Sequence, residues 1–175
     1  QALATLPSPP TLGNPNAMKF EWVYCGKVYA VHWGLGSTSD ARAYLGLING
    51  FKQRPYPPYI NYILNDPYLD AVKVLGEHLA ELYIADYGKL DSGFAEFLLA
   101  FVQYRPYIFD PEIEGSDWPR FPSEYLVNNG GDCEDSSICL MTFLAQFGMP
   151  AAFVDQTTHM AVAIQGPYSG HHWTV

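Results

Sequence analysis

At 175 residues, 49% of them hydrophobic, the chain is long enough to bury one sizeable core, and its length argues for a single domain with at most a small appendage. Eighteen acidic against nine basic residues give a formal net charge of −9 with no cluster of lysine or arginine, so no nucleic-acid partner is expected. No apolar run approaches the length that crosses a bilayer, so no membrane segment is expected in this sequence.

Residues 1–16 hold four prolines among small polar residues and read as a linker or extended arm; with neither an initiator methionine nor a signal-type apolar run, the start is expected to be that of an excised or processed chain. Residues 17–175 are expected to form one domain. Two β-prone runs, Lys19 to Tyr24 and Lys27 to Trp33, flank Cys25-Gly26 and predict a β-hairpin. Its aromatics are expected to pack on the domain rather than to form a sugar platform, because aromatics usually supply core area, and His32 is expected to be an ordinary strand residue. Ser37-Thr38-Ser39-Asp40 offers N-caps for a helix over about 40–53, closed by Pro55, Pro57 and Pro58, and Arg54 to Tyr59 reads as an extended connector. Asp66-Pro67 opens a long amphipathic helix carrying Leu69, Val72, Leu75, Leu79 and Leu82 through to Tyr83, with His78 off the apolar stripe. Asp91 or Ser92 caps the next helix, whose Phe94, Phe97, Leu98, Phe101 and Val102 crowd one side up to Gln103-Tyr104.

From Arg105 to Glu124 the chain turns proline- and acid-rich and predicts an ordered loop of the kind that lines a substrate groove. A short helix over Ser123 to Asn128 stops at Asn129-Gly130-Gly131, and a largely buried helix runs from Cys133 to about Phe147, ended by Gly148 and Pro150. Ala151 to Val154 and Met160 to Ile164 follow as strands, the second opened by His159. A turn over Gly166 to Gly170 then leads into His171-His172-Trp173-Thr174-Val175.

The chemistry concentrates at Cys133 and His159. A two-glycine turn delivers Cys133 to a helix start, where main-chain N–H groups lack partners and the macrodipole is positive, and both favour thiolate. A cysteine on a helix start with a later histidine on a strand start is the ingredient list of a thiol acyl-transfer site. Asp132, Glu134 and Asp135 complement the dipole but raise the thiol pKa, so a thiolate there needs His159 protonated beside it. Cys139 lies six positions on, about 240° round the helix, and is expected to be core filler; Cys25 sits at the hairpin turn. Three cysteines so spaced predict neither a disulfide framework nor a zinc knuckle. A metal centre from Cys133, His159, His171 and His172 is disfavoured because adjacent strand residues point to opposite faces, so no metal and no cofactor are expected.

Four motifs in order carry a resemblance: Phe101-Val102-Gln103; Trp118-Pro119-Arg120-Phe121-Pro122-Ser123-Glu124-Tyr125-Leu126-Val127; Gly130-Gly131-Asp132-Cys133-Glu134-Asp135; and His159-Met160-Ala161-Val162. Over roughly residues 20–165 the chain resembles the transglutaminase-like superfamily, and more narrowly an archaeal-type branch of it. The resemblance implies an α+β fold, in which a helical N-terminal half precedes a papain-related core with a central buried helix packed on an antiparallel sheet. It implies a Cys, His, Asp or Glu triad with Cys133 as nucleophile and His159 as base and then acid, acting on an amide or peptide substrate. For the oxyanion it implies the N–H of Cys133, with Gln103 or Trp118 as a second donor or groove residue. The family's third carboxylate lies just after the histidine strand, where this sequence has no acid beyond Asp155, so that residue is expected to lie past Val175. The alternative is a catalytically inactive peptide-binding or scaffold module on the same fold.

Overall fold

The computed structural model describes residues 18–35, 58–110 and 119–167. The arm at 1–16, the helix expected over 40–53 and the segment after Gly170 lie outside them, as do Trp118, His171 and His172. Strand β1 (Met18–Tyr24) and strand β2 (Lys27–Trp33) pair antiparallel with Tyr24 opposite Lys27. Cys25 at φ 49° and Gly26 at φ 76° make the two-residue turn that the right-handed strand twist prefers. Alternation along the hairpin buries Phe20, Trp22, Tyr29, Val31 and Trp33 on one face, so its aromatics are core.

Helix α1 (Ile60–Leu64) forms where the sequence offers no helix signal. Five residues without a capping side chain carry too little local preference to be read. Tertiary packing holds them instead: Tyr62 and Ile63 are buried, and the Tyr62 ring packs 5.2 Å from that of Phe121. Helix α2 (Leu69–Tyr87) runs one turn past the expected end at Tyr83 and is closed by Gly88 at φ 81°. His78 sits off its buried face, against Glu81 at 3.1 Å. Helix α3 (Ser92–Gln103) is capped by Asp91, whose carboxylate accepts from the Gly93 N–H at 3.0 Å and the Tyr83 hydroxyl at 2.6 Å.

Asp66 does more than start α2. Its carboxylate accepts from the Tyr68 N–H at 2.8 Å, the Ser123 N–H at 2.7 Å and the Ser123 hydroxyl at 2.6 Å. This ties the start of α2 to helix α4 (Pro122–Asn128). Asp66→Ala strands these donors in a buried site and is expected to cost about 3 kcal/mol, read as a lower urea midpoint at unchanged slope; an unmoved midpoint would refute the tie.

Helix α5 (Cys133–Gln146) is the hub, packing on α1, α2, α3 and α4 and on the hairpin of β3 (Ala151–Gln156) and β4 (His159–Ile164). Residues 134–144 are all buried, Cys139 completely. The mixed helix and strand content agrees with an α+β fold. The sheet is smaller than expected. Among the described residues there are two separate two-stranded antiparallel ladders, β1–β2 on α3 and β3–β4 on α5.

Candidate active site

The start of α5 is set by the turn before it. Helix α4 ends at Asn129 with φ 56°, followed by Gly130 at φ 153°, and the Gly130 N–H returns to the Tyr125 carbonyl at 3.0 Å. A Cβ on Gly130 would collide with the Pro106 carbonyl oxygen, so glycine is required for the loop at 106–108 to lie against the turn. That loop is held by the Ile108 N–H donating to the Gly131 carbonyl at 2.9 Å and by the bridge between Tyr107 and Gly131. A Cβ on Gly131 would meet the Asp135 carboxylate, which accepts from the Asp132 N–H at 3.2 Å and closes a capping box with Asp132.

Asp135 is wholly buried, and Arg120 makes this possible: its guanidinium pairs with Asp135 Oδ2, and its N–H donates to Oδ1 at 2.7 Å. A second guanidinium nitrogen reaches Asp110 at 2.8 Å. Arg120 thus anchors the cap of the helix that presents Cys133.

Cys133 is partly exposed at the first position of α5. Its thiol donates to Glu134 Oε2 at 3.4 Å. The main-chain N–H of Met160 and the Tyr107 hydroxyl also contact the sulfur, and the Cys133 N–H reaches the Tyr107 oxygen. One turn along α5, the Ser137 hydroxyl donates to the Met160 carbonyl at 3.3 Å. The first turn of α5 and the start of β4 are therefore stitched together. His159, next in the chain to Met160, opens β4 opposite Gln156; its ring is partly buried, and Nε2 is buried without a hydrogen-bond partner. The structure thus brings the histidine's strand, through Met160, to the cysteine.

Electrostatically the site resists negative charge. Burial, and after it Glu134, holds the Cys133 thiol above its usual range, opposed by the Met160 N–H and the Tyr107 hydroxyl. Burial and the neighbouring Glu134 push Asp132 up to about 7, and burial also raises Glu134. Burial takes Asp135 up to about 7 against the pull of Arg120. Burial and the bond to Cys133 push Tyr107 up to about 12. A thiolate at Cys133 therefore needs a compensating positive charge.

Of the expected second oxyanion donors, Gln103 is exposed at the last turn of α3, and Trp118 lies outside the described residues. The group that reaches the sulfur from this side is Tyr107, four residues after Gln103. Asp155 sits opposite Met160 in the β3–β4 register and so belongs to the face away from His159; it is not placed as an orienting acid. Sequence reasoning passed over Tyr107, Arg120 as an anchor and the Met160 N–H. A lone loop tyrosine and a main-chain group carry no spacing signal, but an arginine, Arg120, ahead of an acidic helix start was a usable one. Among the described residues, the His, Cys, Asp and Glu side chains grouped closely enough for a metal ion are Asp110, Asp132 and Glu134. No family model, no curated protein and no solved structure matches this chain.

Proposed function

We propose that the chain carries a thiol-dependent acyl-transfer or hydrolysis site for amide or peptide substrates, with Cys133 as nucleophile and His159 as base and then acid, on a transglutaminase-like core. The observation that carries this reading is the partly exposed Cys133 at a helix start, with the N–H of Met160, the residue after His159, on its sulfur. His159 takes the thiol proton, and the sulfur attacks the substrate carbonyl. The carbon–nitrogen bond then breaks as His159 returns the proton to the leaving ammonia or amine, leaving a thioester that water or a second amine resolves. The N–H groups of Cys133 and Met160, both at the sulfur's end of α5, are the main-chain donors assigned to the developing oxyanion, and the Tyr107 hydroxyl must yield the Cys133 N–H for substrate to use it.

Turnover of glutamine-containing peptides, followed as released ammonia with and without an added primary amine, tests the proposal. Cys133→Ala and His159→Ala are each expected to lower the rate by about 10³-fold or more. Undiminished turnover in either variant refutes it. Ammonia without an amine adduct assigns a hydrolase; adduct formation assigns a transferase. The raised thiol favours a second reading, a peptide-binding module that has lost catalysis, which predicts saturable peptide binding with no release of ammonia by the unaltered chain.

A further inference from the structure

We propose that Arg105 is a positioning residue for the site, fixing the loop at 106–108 against the turn that presents Cys133 and so keeping the Tyr107 hydroxyl on the sulfur. This deepens the reading of Cys133 as a nucleophile and rests on it for the effect on rate, but not for the effect on the thiol itself. The bridge between Tyr107 and Gly131 is parallel, so Arg105 and Asn129, two places earlier on the two segments, stand at matching positions ahead of it. There the guanidinium donates through Nη1 to Asn129 Oδ1 at 3.0 Å, and past the bridge the Ile108 N–H donates to the Gly131 carbonyl at 2.9 Å. The two segments are thus fastened on both sides of Tyr107.

Arg105 is itself held from outside that pair. It is 9% exposed, its Nη2 donates to the Glu21 carbonyl of β1 at 2.6 Å, and its guanidinium lies 4.9 Å from the Phe20 ring centroid and 5.2 Å from that of Phe101. These partners are a main-chain carbonyl, an amide oxygen and two rings rather than a carboxylate, and Nε is buried with no partner among the described residues. A guanidinium buried without a counter-charge supports a fold weakly, because desolvation offsets what its bonds return. Its planar fork suits it instead to holding two acceptors in one fixed geometry. Here they are β1 and Asn129, whose φ of 56° starts the turn. Around the sulfur the titratable groups are Asp132 and Glu134 on either side of Cys133 in the chain, Tyr107 on the loop, and His159, next in β4 to the Met160 that donates to the sulfur. Tyr107 is the one carried on the segment that Arg105 fastens, so losing Arg105 takes a donor from the thiolate and raises the thiol pKa.

The test follows labelling of the full chain by a small haloacetamide across pH, resolved by peptide mass spectrometry so that the cysteines report separately: exposed Cys25 as reference, Cys133 at the site, and wholly buried Cys139 as the sign of unfolding. Arg105→Met keeps an apolar stem over Phe20 and Phe101, and Asn129→Gly accepts the positive φ while deleting the acceptor. Each is expected to move the Cys133 profile up by about half a pH unit or more, with Cys25 unmoved and Cys139 unlabelled. Tyr107→Phe is expected to give the same shift, and adding Arg105→Met to it no further one, since both act through one hydroxyl. In glutamine-peptide turnover Arg105→Met and Asn129→Gly should each lose about tenfold in kcat at little-changed KM. A parent chain that releases no ammonia removes the catalytic reading and leaves the labelling to decide the role of Arg105. A Cys133 profile unmoved in both Arg105→Met and Asn129→Gly, shifts of Arg105→Met and Tyr107→Phe that add, or labelling of Cys139 in both Arg105→Met and Asn129→Gly would each overturn the assignment.

Discussion

Arg120→Met is expected to lower the unfolding free energy by about 3–5 kcal/mol, because it leaves the wholly buried Asp135 carboxylate without its counter-charge. Arg120 is itself 7% exposed, and it meets Asp135 through both its guanidinium and its main-chain N–H. Methionine retains much of the side-chain volume, so the loss reports the broken pair rather than a cavity. Asp135 also accepts from the Asp132 N–H, so the injury falls on the turn that presents Cys133. Faster amide exchange at Asp132 and Cys133 should therefore accompany the lower stability. Arg120→Lys keeps the charge but not the planar fork that serves Asp110 and Asp135 together, and should lose roughly half as much. A double variant, Arg120→Met with Asp135→Leu, removes both partners and should cost at least about 1 kcal/mol less than the two single losses added together. Urea unfolding followed by far-ultraviolet circular dichroism measures all of these; a loss under about 1 kcal/mol for Arg120→Met would show that Asp135 is held by its main-chain donors.

The elements that sequence alone disclosed are those whose signal is local. Cys25-Gly26 between two alternating runs could hardly be other than a hairpin turn, and Asp91 before Phe94, Phe97 and Phe101 marked both the start and the buried face of α3. Gly130-Gly131-Asp132 ahead of Cys133 announced the turn and helix start in the same way. Features that depend on distant residues were hidden. Asp66 looked like a helix cap, yet it mainly joins α2 to Ser123; the buried acids of α5 became intelligible once Arg120 was seen beside them. Tyr107 reaches the Cys133 sulfur because Gly130 lets the loop at 106–108 lie against the turn, a steric fact about two backbones far apart in sequence. The grouping of Asp110 with Asp132 and Glu134 arises from that same approach.

The N-terminal hairpin and α3 are expected to stand or fall together at Phe97, and Phe97→Ala is expected to destabilise the protein by about 4 kcal/mol. Phe97 is wholly buried, with its ring centroid 5.4 Å from Trp22, 5.3 Å from Tyr24, 4.9 Å from Tyr29 and 5.4 Å from Tyr83. These pairs lie at steep angles, 63° to 90° between planes, the edge-to-face arrangement that aromatic quadrupoles favour. Truncation to alanine removes the ring shared by all four neighbours. The surrounding rings cannot close the gap, because Trp22 is also fixed edge-on to Phe101 and the Tyr83 hydroxyl is bonded to Asp91. Phe97→Leu refills most of the volume without the ring and should lose about 1–2 kcal/mol, separating burial from aromatic contact. Because a domain of this size is stable by only about 5–15 kcal/mol in total, the alanine variant should show a much lower thermal midpoint. Because the rings packed on Phe97 belong to the hairpin and α2, and Arg105 still ties β1 to Asn129, alkylation of Cys133 in the folded fraction should proceed at the parent rate. A Phe97→Ala variant as stable as the parent would mean that the hairpin packs on the domain without depending on this ring.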